Sequence, residues 1–557
     1  MSASDKKKLR KEQYGEMLTA KQRQQRADEK KLKLYTVLFV TSMILIVGIV
    51  LAVLGIRAVT NGGLVEKMTV AATVGDTDLN TVEFSYYYND AVSEWYNGWY
   101  EQYEDQTDTY LLMMNFDSSK PLDEQIQDEE TGKTWADYFV EQALEDAKRD
   151  VALCAEAKKA GFELPEESKT QIDTTISNLE MFAPYYGFPD ANAYLRAMYG
   201  NGADMKNYRK HLETTTMADA YYDAHLAEYE FTAEEMDAYV TDNGKELDYT
   251  AFTYTSVYLS YTYFQQGGTE DEDGSITYTD EENNAARAAM QNAADSLLTA
   301  TTDEEVDAKV AEIQVKEGSA ISVSNNEYYL YNQFSGANAD LSAWIADEAR
   351  VEGDKTLIPI EAKVTVNGEE TTVINGYYFL LFHARNELRE PMGNVRHLLV
   401  KFEGGTEDDQ GVVVYSDEEK AAAKAEADGY LKQWQEGEAT EDTFIALVKE
   451  HTDDSSAETG GLYEDIHPYS SYVENFLKWS IDPNREKGDA EVIETEYGYH
   501  VMYYVGDDEL SYRDVLITGD MAAVEQETWY NGLIEPITAT VGDLSKIELG
   551  LILNQGQ

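Results

Sequence analysis

VRHLLVKF (Val395–Phe402) and ETEYGYHVMYYV (Glu494–Val505) are two apolar-rich, strand-like segments about a hundred residues apart, each carrying one histidine, His397 and His500. Between them lie FIALVKEHTDDSSAETGGLYEDI (Phe444–Ile466), with the acidic pair Asp453–Asp454, and YVENFLKWS (Tyr472–Ser480). This stretch sets the fold, and the rest of the chain is read for what it adds.

A chain of 557 residues is too long for one core and divides into roughly three or four domains. Its 43% hydrophobic content and 41 tyrosines are enough for packed cores despite a net charge of −62. Residues 34–56 are 23 consecutive positions without a charge, about 35 Å as a helix, which predicts a transmembrane helix. A cleavable signal would have a shorter apolar run. Residues 1–33 hold 11 Lys/Arg against 5 Asp/Glu, so the positive-inside rule predicts a cytoplasmic N-terminus. The chain is thus expected in the cell membrane as a single-pass protein with its bulk extracytoplasmic. The single cysteine, Cys154, permits no internal disulfide and reads as a buried apolar residue. So acidic a chain has no basic stripe for phosphates, which argues against nucleic acid.

Past the apolar run, residues 57–245 read as largely helical. WADYFVEQALEDAKRDVALCAEAKKAG, from Trp135, has apolar residues at helical spacing and stops at Gly161, and Thr232 with Glu235 makes a capping box. An internal repeat follows. GGTEDEDGSITYTDEENNAA (Gly267–Ala286) parallels GGTEDDQGVVVYSDEEKAAA (Gly404–Ala423), and W-x-x-D-x-x-R-x-x-G-D occurs at Trp344–Asp354 and again at Trp479–Asp489. Two copies of one fold, 246–390 and 391–508, therefore stand in tandem. In the first, Ser260 falls on His397, Tyr378 falls on His500, no counterpart of TDDSSAETGGL is recognisable, and EAKVTVNGEETTV reads as an extra hairpin around Asn367–Gly368. The acidic loops after each Gly-Gly lack the first aspartate and last glutamate of a calcium loop, so no metal or other cofactor is expected. Residues 509–557 read as a C-terminal helical segment; TVGD at Thr540–Asp543 echoes TVGD at Thr73–Asp76, which suggests that the end of the chain returns to the N-terminal region.

The two histidine segments with T-D-D-S-S-A between them resemble the parvulin peptidyl-prolyl isomerases. The order of elements over 57–245 resembles the chaperone region of PrsA- and SurA-like foldases. The resemblance implies an α+β fold: a helical chaperone-like region, a degenerate parvulin copy, and a parvulin copy that keeps its polar centre. It implies His397, Asp454 and His500 as the catalytic set and Leu462, Tyr472 and Phe476 around the substrate proline, with Tyr497 and Lys401 also at the substrate. Tyr472 replaces a methionine or leucine, and Tyr497 a small hydroxyl residue. Asp454, beside Asp453 and partly desolvated, is expected to have a raised pKa. The loop EGGTEDDQG (Glu403–Gly411) has no basic cluster, so unphosphorylated clients are expected. The partners implied are unfolded or nascent exported polypeptides with X-Pro bonds. A non-enzymatic alternative is a holdase or scaffold that uses both copies as binding modules.

Overall fold

The computed structural model describes residues 4–8, 42–43, 45–47, 49–50, 61–270, 274–336, 338–366, 369–407 and 413–550. Most of the apolar run 34–56 lies outside these residues, as do Asn367–Gly368 and parts of both acidic loops. Among the described residues no helix is long and apolar enough to cross a membrane. The expected transmembrane helix, the single-pass membrane location and the membrane as a partner are corrected accordingly. An uncharged run spans a bilayer only as one continuous apolar helix, and the described part of this run makes none of that length.

The chain forms two compact units, residues 1–228 with 525–557, and residues 229–524. In the first, Thr81–Tyr103, Trp135–Ala160 and Met205–Leu226 are the long helices, and all three start at capping boxes, Asn80 with Glu83, Thr134 with Asp137 and Asp204 with Asn207. Trp135–Ala160 ends at Gly161, whose φ of +71° a side chain would resist. The apolar stripes of the first two bury Phe84, Tyr88, Trp135 and Phe139, and Phe116 joins them from the segment between. Cys154 donates to the Thr214 carbonyl at 3.3 Å, and burial pushes its thiol up to about 11. The three-stranded sheet of this unit has the order 539–541, 70–74, 77–80, with Thr73 opposite Thr540, so the two TVGD segments are antiparallel neighbours.

The second unit contains two four-stranded antiparallel sheets of identical order. The first runs Val323–Leu330, Ala251–Ser260, Glu369–Asn386, Lys355–Val366, and the second Leu462–Ile466, Pro391–Lys401, Gly498–Ser511, Ala490–Thr495. The repeated motifs do the same work in each. The N–H of Gly268 or Gly405 donates to Glu282 or Glu419, the N3 residue that closes the capping box of the following helix. Arg350 lies over Trp344 and Arg485 over Trp479, at 4.1 and 4.3 Å. Each Gly-Asp then hydrogen-bonds the long strand, at Phe382 or Tyr504.

Strand register corrects one expected correspondence. Gly376 pairs with Ser260 and Gly498 with Lys401, so Ser260 corresponds to Lys401, and the counterpart of His397 is Ser256. The displacement of four comes from Tyr261–Phe264, a 3-10 turn in the first copy between strand and Gly-Gly loop. Tyr378 does correspond to His500. The extra hairpin of the first copy is formed by strands that pair as far as Val366 and Glu369.

Candidate active site

The strand Pro391–Lys401 is the centre of the second sheet, and its alternation sends Leu398 and Val400 to one face and His397, Leu399 and Lys401 to the other. The first face packs on helices 417–436 and 441–451 through Ala427, Trp434, Phe444 and Val448. The second face meets the short helix Glu474–Ser480, where Phe476 and Trp479 join Val395, Met502 and Tyr504. Leu399 pairs with His500 and His397 with Met502, so the histidines are diagonal neighbours on that second face.

Both histidines are buried. Their rings stack with centroids 5.0 Å apart, and Nδ1 of His397 lies 2.9 Å from Nδ1 of His500. His500 Nε2 is 2.8 Å from the Thr495 hydroxyl, which also accepts the Tyr497 N–H at 3.2 Å. His397 Nε2 faces Asp454 Oδ1 at 3.5 Å and has no hydrogen-bond partner among the described residues. These contacts select one tautomer chain: Thr495 O–H donates to His500 Nε2, His500 Nδ1–H donates to His397 Nδ1, and His397 Nε2–H points at Asp454. The reverse chain would aim a bare lone pair at a carboxylate.

Asp454 caps the 3-10 turn Ser455–Thr459 and accepts from the Ser456 N–H at 2.8 Å and from the Ser456 hydroxyl. The facing His397 ring, foremost, and these two Ser456 donors hold its carboxyl well below the usual range. The expected rise is therefore corrected: the His397 ring and the Ser456 donors outweigh partial burial, and Asp453 points away to accept the Lys401 N–H at 3.0 Å. His500 is driven the other way for a base, down to about 3, because burial and the neighbouring His397 both disfavour its charge.

A cavity of about 300 Å³ opens on this face, lined by His397, Leu399, Lys401, Asp454, Tyr463, Ser471, Tyr472, Val473, Phe476, Tyr497 and His500. Seven of the eight expected site residues are thus brought together. Leu462 is not among the lining residues. It pairs with Arg396, and Tyr463 beside it, on the opposite side of the strand, takes the place at the cavity. Phe476 sits between both histidines and Tyr472, with ring centroids 5.2, 5.7 and 5.3 Å away. Thr495 and Tyr463 were not identified from the sequence. Arg396, whose guanidinium holds the Thr459 and Gly460 carbonyls at 2.9 and 3.1 Å and Glu441 at 3.0 Å, fixes the loop that carries Asp454.

The proton occupancies give a testable sign. Unfolded His500 titrates near 6.5 and the folded one at about 3, so between these values the unfolded chain binds more protons. The stability this adds is complete above about pH 6.5 and is lost as pH falls toward 3. Asp454, also depressed, has the same sign in stronger acid. We expect thermal unfolding of the chain to show a site-dependent loss of Tm between pH 6.5 and 4 that is smaller in His500→Asn. An equal acid slope in that variant would exclude the burial of neutral His500 as its cause.

The PPIC-type PPIASE domain, a rotamase family, matches residues 397–506, beginning at one histidine of the pair and including the other. Similar solved structures include the PPIase domain of TbPar42 (22% identity, 20% of this chain and 99% of that one, TM-score 0.17). PrsA from Bacillus subtilis (15%, 59% and 84%, 0.17) and the peptidylprolyl isomerase PrsA from Bacillus cereus (16%, 49% and 91%, 0.19) are also similar. No curated protein matches the chain. A family whose chemistry is rotation about X-Pro bonds matches the segment that forms this cavity, and residues 397–506 are a parvulin-type peptidyl-prolyl cis-trans isomerase domain.

Proposed function

We propose that this isomerase acts as a foldase for exported polypeptides, with His397, Asp454 and His500 as the working polar set. The observation that carries the site assignment is the ordered proton chain from Thr495 to His397, which ends beside an ionised carboxylate at the rim of an aromatic cavity. Rotation about an X-Pro bond must overcome about 18–20 kcal/mol of amide resonance. No covalent step is needed. The cavity holds the ring against Phe476, Tyr463 and Tyr472, while the Asp454 carboxylate opposes the negative end of the planar amide's carbonyl. The twisted form, whose oxygen is less negative, is penalised least.

In a protease-coupled proline-peptide assay, Asp454→Asn should lower kcat/KM about tenfold with the fold intact, the scale of one lost electrostatic interaction. His500→Ala should lower it at least as far and cost about 1–3 kcal/mol of stability, because His397 Nδ1 is left buried without a partner. Wild-type rates in both variants would sink the assignment.

Exported chains as clients fit the composition, since a net charge of −62 disfavours nucleic acid and favours neutral or basic unfolded segments. We assign the helical region 57–245 to client holding, the copy 246–390 to a role without turnover, and the segment 509–557 to support of its neighbours. Met181, Phe182, Tyr185 and Tyr186 are exposed together in the helical region, which supports holding as a second activity. If His500→Ala still suppressed client aggregation fully and no isomerase-dependent refolding were measurable, the holdase reading would replace the foldase one.

A further inference from the structure

The first copy has Ser256 and Tyr378 where the second has its histidines, yet it holds the segment that leads into the wall of the isomerase cavity. The segment His467–Val473 leaves the edge strand of the second sheet and becomes that wall at Ser471, Tyr472 and Val473. Its opening turn is closed by its own hydrogen bonds: Ser470 N–H to the His467 carbonyl at 2.9 Å, Tyr472 N–H to the Ser470 carbonyl at 2.8 Å, His467 N–H to the Ser470 hydroxyl at 3.0 Å, and Tyr469 N–H to His467 Nδ1 at 3.2 Å. A turn so closed moves as one piece, and its position depends on what holds His467 and Tyr469.

Two things hold them. The rings of His467 and Tyr469 stack on Tyr512, with centroids 3.7 and 5.1 Å away. The Tyr469 phenol donates to the backbone carbonyl of Tyr328, in the first copy. That carbonyl is available because the edge strand Val323–Leu330 is bulged there: Phe252 pairs with Tyr329 and Tyr254 with Asn326, so the partner strand has one residue fewer. Tyr328 lies at a φ of +49°, a region that a bulky residue rarely adopts and that aims its carbonyl away from the ladder. Its N–H is meanwhile tied to the Thr253 hydroxyl at 3.3 Å. The strained residue and the phenol it serves lie at one seam, packed with Ala251, Leu330 and Leu388.

We propose that Tyr469 is a positioning residue of the isomerase, and that the first copy serves as the anchor that fixes one wall of the proline cavity. This rests on the assignment of that cavity as the isomerase site. The wall touches the proline ring in planar and twisted forms alike, so loosening it removes uniform binding and raises KM more than it lowers kcat.

In the full chain, Tyr469→Phe keeps the stacking and deletes the bond to Tyr328. KM for a proline peptide should rise about three- to tenfold with kcat within about twofold, and amides 470–473 should exchange faster with deuterium. Arg513→Met is the control. It removes another bond of the same seam, Arg513 Nη2 to Glu246 Oε2 at 2.8 Å, and should lower Tm while leaving KM and the exchange of 470–473 as in wild type. Unchanged KM and exchange in Tyr469→Phe would overturn the proposal, as would an equal KM rise in Arg513→Met, which would indicate general loosening of the seam. A wild-type chain without isomerase activity would defeat the site assignment instead, while the exchange measurement would still report whether Tyr469 holds the loop.

Discussion

Phe476→Ala is expected to lower kcat/KM for a proline peptide about a hundredfold and to cost about 3–5 kcal/mol of stability. The ring is 3% exposed and touches His397, His500, Tyr463 and Tyr472, so its removal takes away the cavity floor and the packing that sets both imidazoles. The stability loss combines transfer of a large apolar side chain with the void left behind. Loss of activity follows because a proline ring without its wall no longer places its carbonyl beside Asp454 within the roughly 1 Å that such chemistry tolerates. Phe476→Leu separates the two effects. It should recover most of the stability, since volume is largely kept, and only part of the rate, since a flat ring is not. Full activity in the alanine variant, measured below its Tm, would mean that the proline binds elsewhere.

Gly461→Ala should be nearly as damaging, at about 3–4 kcal/mol, with no bulky side chain removed. Gly461 has a φ of +69°, and a Cβ there would lie 2.2 Å from the His397 carbonyl oxygen. The obstacle is backbone, and it is the strand that carries His397, whose N–H donates to the Gly461 carbonyl at 3.0 Å. The same substitution at Gly429, inside the helix Asp417–Glu436 with nothing within 4 Å of its Cβ, should stabilise by about 0.5–1 kcal/mol. Paired urea titrations of the two variants would check both signs. A mild effect at Gly461 would show that the loop of Asp454 can move off the strand.

Much of the site was legible because its signals are local. Apolar-rich runs placed His397 and His500 on strand-like segments, and the resemblance implied Tyr472 and Phe476 beside the substrate proline. What was missed depends on register. Whether Leu462 or Tyr463 faces the cavity is decided by the pairing of Leu462 with Arg396, a non-local fact. Thr495 reaches His500 only because the turn Glu496–Tyr497 folds one strand back on the next, with Thr495 opposite Gly498. Ser256 was misplaced as Ser260 because the glycine motif on which the copies were aligned lies beyond an inserted turn of four residues. The Asp454 pKa was misjudged because the like charge of Asp453 is visible in the sequence, whereas the Ser456 donors and the facing His397 ring are visible only once folded. The transmembrane reading rested on the length of an uncharged run, most of which lies outside the described residues, and no helix among the described residues is long and apolar enough to cross a membrane.

The strand at Ala539–Val541 that completes the sheet of the first unit has a consequence in time. Its partner, Val70–Val74, is made among the first residues of that unit, and the strand that covers its open edge is made among the last. At about 5–20 residues per second, the gap between them takes on the order of half a minute to a minute and a half of synthesis. Throughout that interval the edge is an unpaired template, and Tyr88 waits for the Leu549 carbonyl that its hydroxyl reaches at 2.7 Å in the finished fold. The sheet of the first unit thus stays open at this edge until residues 539–549 have been made.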